Sequence, residues 1–100
     1  RIDFNKSAEE IERQVRAMIP WPGAYTYYRG ELFKIWEADT IPGRGKCEPG
    51  AITAADSNGI VISAGEGSIV AKTVQIPGKK RVSVAEYLRG NSIELFQVLG

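Results

Sequence analysis

One hundred residues, of which 43% are hydrophobic and 25% charged, have the length and composition of one small globular domain. The chain has no histidine and a single cysteine, which excludes a Ser-His or Cys-His nucleophile, an internal disulfide and a Cys/His zinc site within it. Its net charge of +1 gives no overall basic field, and its longest uncharged stretch, residues 17–28, is too short and too broken by prolines to span a membrane.

The first predicted element is a helix from about Ala8 to about Met18. Ser7 followed three residues later by Glu10 is the pattern of a capping box, in which each side chain bonds the other residue's backbone N–H. Apolar residues recur at spacings of three and four and form one stripe. Pro20 cannot continue the helix, so we expect it to end before that residue.

A rigid aromatic connector, Pro20-Trp21-Pro22-Gly23, follows the helix. It divides the chain into a leading helix with its connector, residues 1–23, and a β-rich domain, residues 24–100. Two interpretations of Trp21 and Pro22 stay open at this point. They pack on this domain's own sheet, or they dock against a neighbouring domain and set the angle between the two.

The rest of the chain has a predominantly β pattern. Strand-forming runs predict five or six short strands, at residues 25–28, 32–36, 51–55, 60–63, 68–76 and 96–99. Turn signals separate them, at Arg29-Gly30, Asp56–Gly59, with Asn58 and Gly59 at positive φ, and Gly65–Gly67. A second short helix begins after Ser83, with Glu86 as its capping partner, and ends at Gly90. This order predicts a mainly β (α+β) fold, a small closed barrel of the oligonucleotide/oligosaccharide-binding (OB) type.

Charge is segregated along the chain. Residues 72–89 hold five basic side chains against one acidic, whereas residues 48–66 hold three acidic side chains and no basic one. If the loop at 41–50 lies beside the segment at 79–81, five basic residues share one surface and are candidates for phosphate contacts. They are Arg44, Lys46, Lys79, Lys80 and Arg81. The alternative is a set of solvated side chains that serve solubility.

Aromatic residues offer a second route to nucleic-acid binding, because exposed rings stack on bases. The first hairpin is rich in them, and alternation along a strand places them on both faces. We expect most to pack in the core or in an interface, with Tyr28 or Trp36 as the exposed alternatives. Acidic residues are scattered, and no pair is placed by sequence for acid–base catalysis.

Two sequence blocks resemble the C-terminal domain of the formyltransferase family. They are Trp21-Pro22-Gly23-Ala24, after a helix that opens Ser7-Ala8-Glu9-Glu10-Ile11, and Tyr87-Leu88-Arg89-Gly90. Each block alone is a weak indication of the family, but the two blocks together are specific for it. Pieces between them, including Lys34-Ile35-Trp36-Glu37-Ala38 and Lys79-Lys80-Arg81, follow in the family's order, so the resemblance covers nearly the whole chain.

The resemblance implies a parent formyltransferase of the cytoplasm. In this family a Rossmann-like N-terminal domain binds 10-formyltetrahydrofolate and carries the Asn, His and Asp of formyl transfer. None of these has a counterpart here, so this chain is expected to hold no catalytic residue, cofactor or metal and to have its own N-terminal domain as a partner. In members that formylate an initiator tRNA, the C-terminal domain helps to hold the RNA. In members that act on amino sugars or folate, it is a structural docking module.

Overall fold

The computed structural model describes residues 1–19, 23–43 and 47–100, which form two helices and six strands. In chain order these are α1 (Ala8–Ala17), β1 (Ala24–Tyr28), β2 (Glu31–Ile41), β3 (Ile52–Asp56), β4 (Gly59–Ser63), β5 (Ser68–Gln75), β6 (Val82–Ser83) and α2 (Val84–Gly90). All the strand pairs are antiparallel, in the order β1-β2-β5-β4-β3, and β6 adds to β5. The fold is therefore a mainly β antiparallel sheet with two helices, as predicted.

The sheet does not close into the predicted barrel by hydrogen-bonded ladders. β1 and β3 are at opposite ends of the strand order, and no ladder between described residues joins them. The predicted last strand, residues 96–99, is also wrong, since among the described residues it forms only an isolated bridge between Val98 and Ala51. Phe96 has φ +65°, which interrupts the extended backbone where that strand would begin. Instead, the terminal segment bonds the start of β3, through Phe96 N to Ile52 O, Ile52 N to Gln97 O and Leu99 N to Gly50 O, and it bonds β1 through Gly100 N to Tyr27 O.

Helix α1 begins as predicted. Ser7 Oγ accepts a hydrogen bond from Glu10 N, and the Glu10 carboxylate accepts one from Ser7 N, completing the capping box. The bond from Ser7 N is the main reason why the pKa of the Glu10 carboxyl lies below its ordinary value. Ile11 and Val15 are buried in the same core as the sheet, so α1 packs directly on the β-rich part of the chain.

The first hairpin has the predicted turn but a longer second strand. Arg29 and Gly30 have φ +52° and +84°, the signs of a type I′ turn, between the paired residues Tyr28 and Glu31. β2 continues to Ile41, beyond the predicted end at residue 36. The second turn spans Asp56–Gly59 as predicted, and Asn58 N bonds Asp56 Oδ1, but Gly59 has the predicted positive φ and Asn58 does not.

Candidate nucleic-acid interface

An irregularity in β2 positions the central side chain of the candidate site. Ile35 pairs with Val74 and Glu37 with Thr73, so Trp36 is the additional residue of a β-bulge against β5. Both Ile35 and Trp36 are buried, but only Ile35 belongs to the hydrophobic core. Trp36, 6% exposed, is therefore covered by groups outside that core.

Four neighbours surround the Trp36 indole. Its benzene part lies against the Gly23 backbone, so closely that a β-carbon on Gly23 would be 2.6 Å from Cη2. Trp36 Nε1 donates a 2.8 Å hydrogen bond to Gln75 Oε1. The Arg81 guanidinium carbon lies 3.5 Å from the ring centroid and Lys34 Nζ lies 5.6 Å from it, so two cations converge on one ring.

The basic segment, which we define as Lys79, Lys80 and Arg81, follows the end of β5. All three side chains are exposed. Gln75 Nε2 donates a 2.7 Å hydrogen bond to Lys79 O, and Arg81 is stacked on Trp36. The segment is thus attached through the Lys79 backbone at one end and through the Arg81 side chain at the other, while the two lysine side chains are exposed. A cleft of about 430 Å³ runs beside Lys79 and Lys80 towards the end of α2.

Lys34 is a fourth basic residue on this surface, and no local sequence pattern indicated it. It lies in β2 opposite Gln75 of β5, which places it next to the basic segment. The missing signal was the pairing of β2 with β5, which brings together residues 41 positions apart in sequence. Arg44 and Lys46, predicted to join this surface, lie outside the described residues, as do Trp21 and Pro22.

The aromatic residues of the first hairpin pack within the domain. Trp36 is buried, and Tyr28 packs its ring on Phe33 while its hydroxyl accepts a hydrogen bond from Glu94 N. Trp36 is therefore not available to stack on a base, and Tyr28 is half-buried. Among the described residues, the most exposed large hydrophobic side chain is Phe96, at 65%.

The described part of the chain shows no cluster of side chains arranged for metal binding. Within residues 1–19, 23–43 and 47–100, no group of three or more cysteine or carboxylate side chains is close enough to hold an ion. Cys47 is partly buried, and its carbonyl accepts a hydrogen bond from Ser63 Oγ. Neither of the two described helices is long and apolar enough to cross a bilayer.

The fold and this surface define a small antiparallel β domain with a solvent-facing basic segment held on a buried tryptophan. The family profile for "Formyl transferase, C-terminal domain" matches residues 1–92, so the chain belongs to that family.

Comparison with known proteins places its similarity within the family. The chain is 43% identical over 98 residues to a methionyl-tRNA formyltransferase of Clostridium novyi, covering 98% of this chain and 32% of the relative. It is 44% identical over 92 residues to the enzyme of the same name from Dechloromonas aromatica, covering 92% and 29%. The chain thus spans about a third of the length of these relatives.

A solved structure shares the fold. HypX from Aquifex aeolicus, determined in complex with tetrahydrofolic acid, superposes with a TM-score of 0.69 at 22% identity, over 88% of this chain and 16% of that one. At this level of identity the likeness concerns the fold alone. The membership predicted from the two sequence blocks is confirmed by the family match, and both blocks lie within the matched range.

Proposed function

We propose that this chain is the tRNA-holding domain of a methionyl-tRNA formyltransferase. Formyl transfer from 10-formyltetrahydrofolate to the amino group of the charged initiator tRNA would occur on an N-terminal domain outside these residues, in the cytoplasm. The observation that carries the proposal is the basic segment, exposed and attached to Trp36, on a chain about 40% identical to enzymes of that name. The RNA ligand is inferred from the relatives' names, and the basic segment provides a surface suited to binding it.

The chemistry of the segment suits phosphate positioning. Lys79 and Lys80 present ammonium groups to solvent, and Arg81 presents a planar guanidinium. Such contacts fix the register and orientation of a nucleic acid without reading its bases. A structured RNA helix is recognised mostly through its shape, phosphates and 2′-hydroxyls, which agrees with the buried position of Trp36 and the packed ring of Tyr28.

Several finer predictions belong to this proposal. Arg44 and Lys46 would add phosphate contacts, and Trp21 with Pro22 would dock the N-terminal domain. The division of the chain into a leading helix with its connector, residues 1–23, and a β-rich domain, residues 24–100, stays a prediction. So does the complete OB-like barrel, which is supported by the backbone hydrogen bonds that the C-terminal segment makes at Gly50 and Ile52 beside β3 and at Tyr27 in β1.

The test compares two charge-matched variants of the full-length enzyme. Lys79→Ala/Lys80→Ala removes two charges from the basic segment, and Lys6→Ala/Arg13→Ala removes two exposed charges at α1. Dissociation constants for the initiator tRNA are measured between 50 and 200 mM salt. Each phosphate contact contributes roughly −0.7 to −0.9 to the log–log slope, so the first variant should flatten that slope by about 1.4 to 1.8.

The matched variant decides between a local and a general charge effect. We expect Lys6→Ala/Arg13→Ala to bind tRNA with nearly the slope of the unmodified enzyme. Equal slopes for all three proteins would reject the proposal and favour the structural docking module that the family resemblance leaves open.

A further inference from the structure

We infer that Trp36 is a positioning residue for tRNA binding, and that it acts by holding Arg81 and Lys79 in place. The inference rests on the proposed function, because it names the residue that organises the proposed phosphate-binding surface. Trp36 itself is buried and contacts no RNA in this proposal.

Two separate connections run from the indole to the basic segment. The first is direct, since the Arg81 guanidinium lies 3.5 Å from the ring centroid. The second passes through Gln75, whose Oε1 accepts from Trp36 Nε1 at 2.8 Å and whose Nε2 donates to Lys79 O at 2.7 Å. One side chain thus fixes both the first and the last residue of the segment.

The indole is itself held from the other direction. It lies in a β-bulge of the sheet, and its benzene part is in contact with the Gly23 backbone. A platform fixed by the sheet removes conformational freedom from Arg81 before any phosphate arrives. Preorganisation of this kind increases affinity because less side-chain entropy is lost on binding.

Lys34 adds a further reason to expect an anion here. Its Nζ lies 5.6 Å from the centroid of the ring on which Arg81 stacks, so like charges are gathered around one indole. No ion pair between described residues involves Lys34. Lys34 therefore adds a positive charge close to the basic segment, which suits this surface to the phosphates of an RNA backbone.

A double-mutant cycle in the full-length enzyme tests the inference. We expect Trp36→Leu to weaken tRNA binding about as much as Arg81→Ala, by roughly three- to ten-fold. In the Arg81→Ala background the same tryptophan change should have a much smaller effect, because the two residues act as one unit. Trp36→Phe keeps an aromatic face and loses the N–H, so this variant should bind tRNA more tightly than Trp36→Leu and less tightly than the unmodified enzyme.

A purely structural role for Trp36 predicts a different pattern. The effects of Trp36→Leu and Arg81→Ala would then add, and Trp36→Leu would lower kcat along with tRNA affinity. Additive effects, or a Trp36→Leu enzyme that binds tRNA normally, would overturn the inference. If Trp36→Leu does not fold, Gln75→Leu tests the second connection alone and should weaken tRNA binding although it removes no basic residue.

The two proposals fail in distinguishable ways. If Lys79→Ala/Lys80→Ala and Arg81→Ala all leave tRNA affinity unchanged, the proposed function is wrong. If those variants weaken binding but the tryptophan and glutamine variants do not, the basic segment binds RNA without help from Trp36.

Discussion

The Gly23 backbone lies against the Trp36 indole, and an added β-carbon would approach Cη2 to 2.6 Å. Gly23 also has φ +84°, where a side chain is strained. We therefore expect Gly23→Ala to lower the free energy of unfolding by about 2 to 4 kcal/mol, through backbone strain and displacement of the ring. Urea denaturation measures this change.

Gly30 is the matched control for that prediction. It has the same φ of +84°, but a β-carbon there meets no atom within 4 Å. Gly30→Ala should therefore show the backbone strain alone, about 1 to 2 kcal/mol. Equal losses for the two variants would mean that the contact with Trp36 adds nothing.

Replacing Arg29 should stabilise the type I′ turn of the first hairpin. Arg29 has φ +52°, a conformation that asparagine tolerates better than arginine, and Asn-Gly is a favoured pair for this turn. We expect Arg29→Asn to raise the free energy of unfolding by roughly 0.5 kcal/mol. Loss of the exposed 3.8 Å ion pair with Glu94 should offset little of this gain. Glu94→Gln removes the ion pair without touching the turn, and a loss above 1 kcal/mol in that variant would contradict this account.

Helix α1 is joined to the sheet by Ile11, which is fully buried in the common core. Ile11→Ala should destabilise the whole domain by about 2 to 5 kcal/mol, because it leaves a cavity between helix and sheet. Ile19→Ala is the control, since Ile19 is 44% exposed and should cost less than 1 kcal/mol. Thermal unfolding in which α1 melts first and the sheet stays unaffected would show that residues 1–23 form a separate unit.

The phenol of Tyr87 makes the free energy of unfolding depend on pH in the alkaline range. Burial raises the pKa of the Tyr87 phenol above its ordinary value, and the negative charges of ionised Tyr28 and Glu31 add to the effect. The neutral phenol is therefore favoured in the folded state, so its contribution is fully present below the unfolded pKa of about 10 and is lost as pH rises through the folded pKa.

The comparison with Tyr87→Phe isolates this effect. We expect the difference in unfolding free energy between the two proteins to stay constant up to about pH 9 and then to shift in favour of Phe. A difference that is flat to pH 11 in chemical denaturation would contradict the pKa shift.

Local signals in the sequence determined much of the molecule. Ser7 and Glu10 determined the start of α1, and Arg29 and Gly30 determined the hairpin turn. The two sequence blocks identified the family. Each of these signals depends on residues that are close together in the chain. The basic segment was equally visible, since its members are consecutive.

Only the tertiary structure decided how these parts meet. The bulge at Trp36, the position of Lys34 beside the basic segment, and the strand order with β1 and β3 at opposite ends all depend on the pairing of distant strands. Periodicity assigns a residue to a strand but does not choose that strand's partner or its register. Trp36 contacts Gly23, Gln75 and Arg81 because the folded chain brings these four residues together, and no local sequence pattern encodes that arrangement.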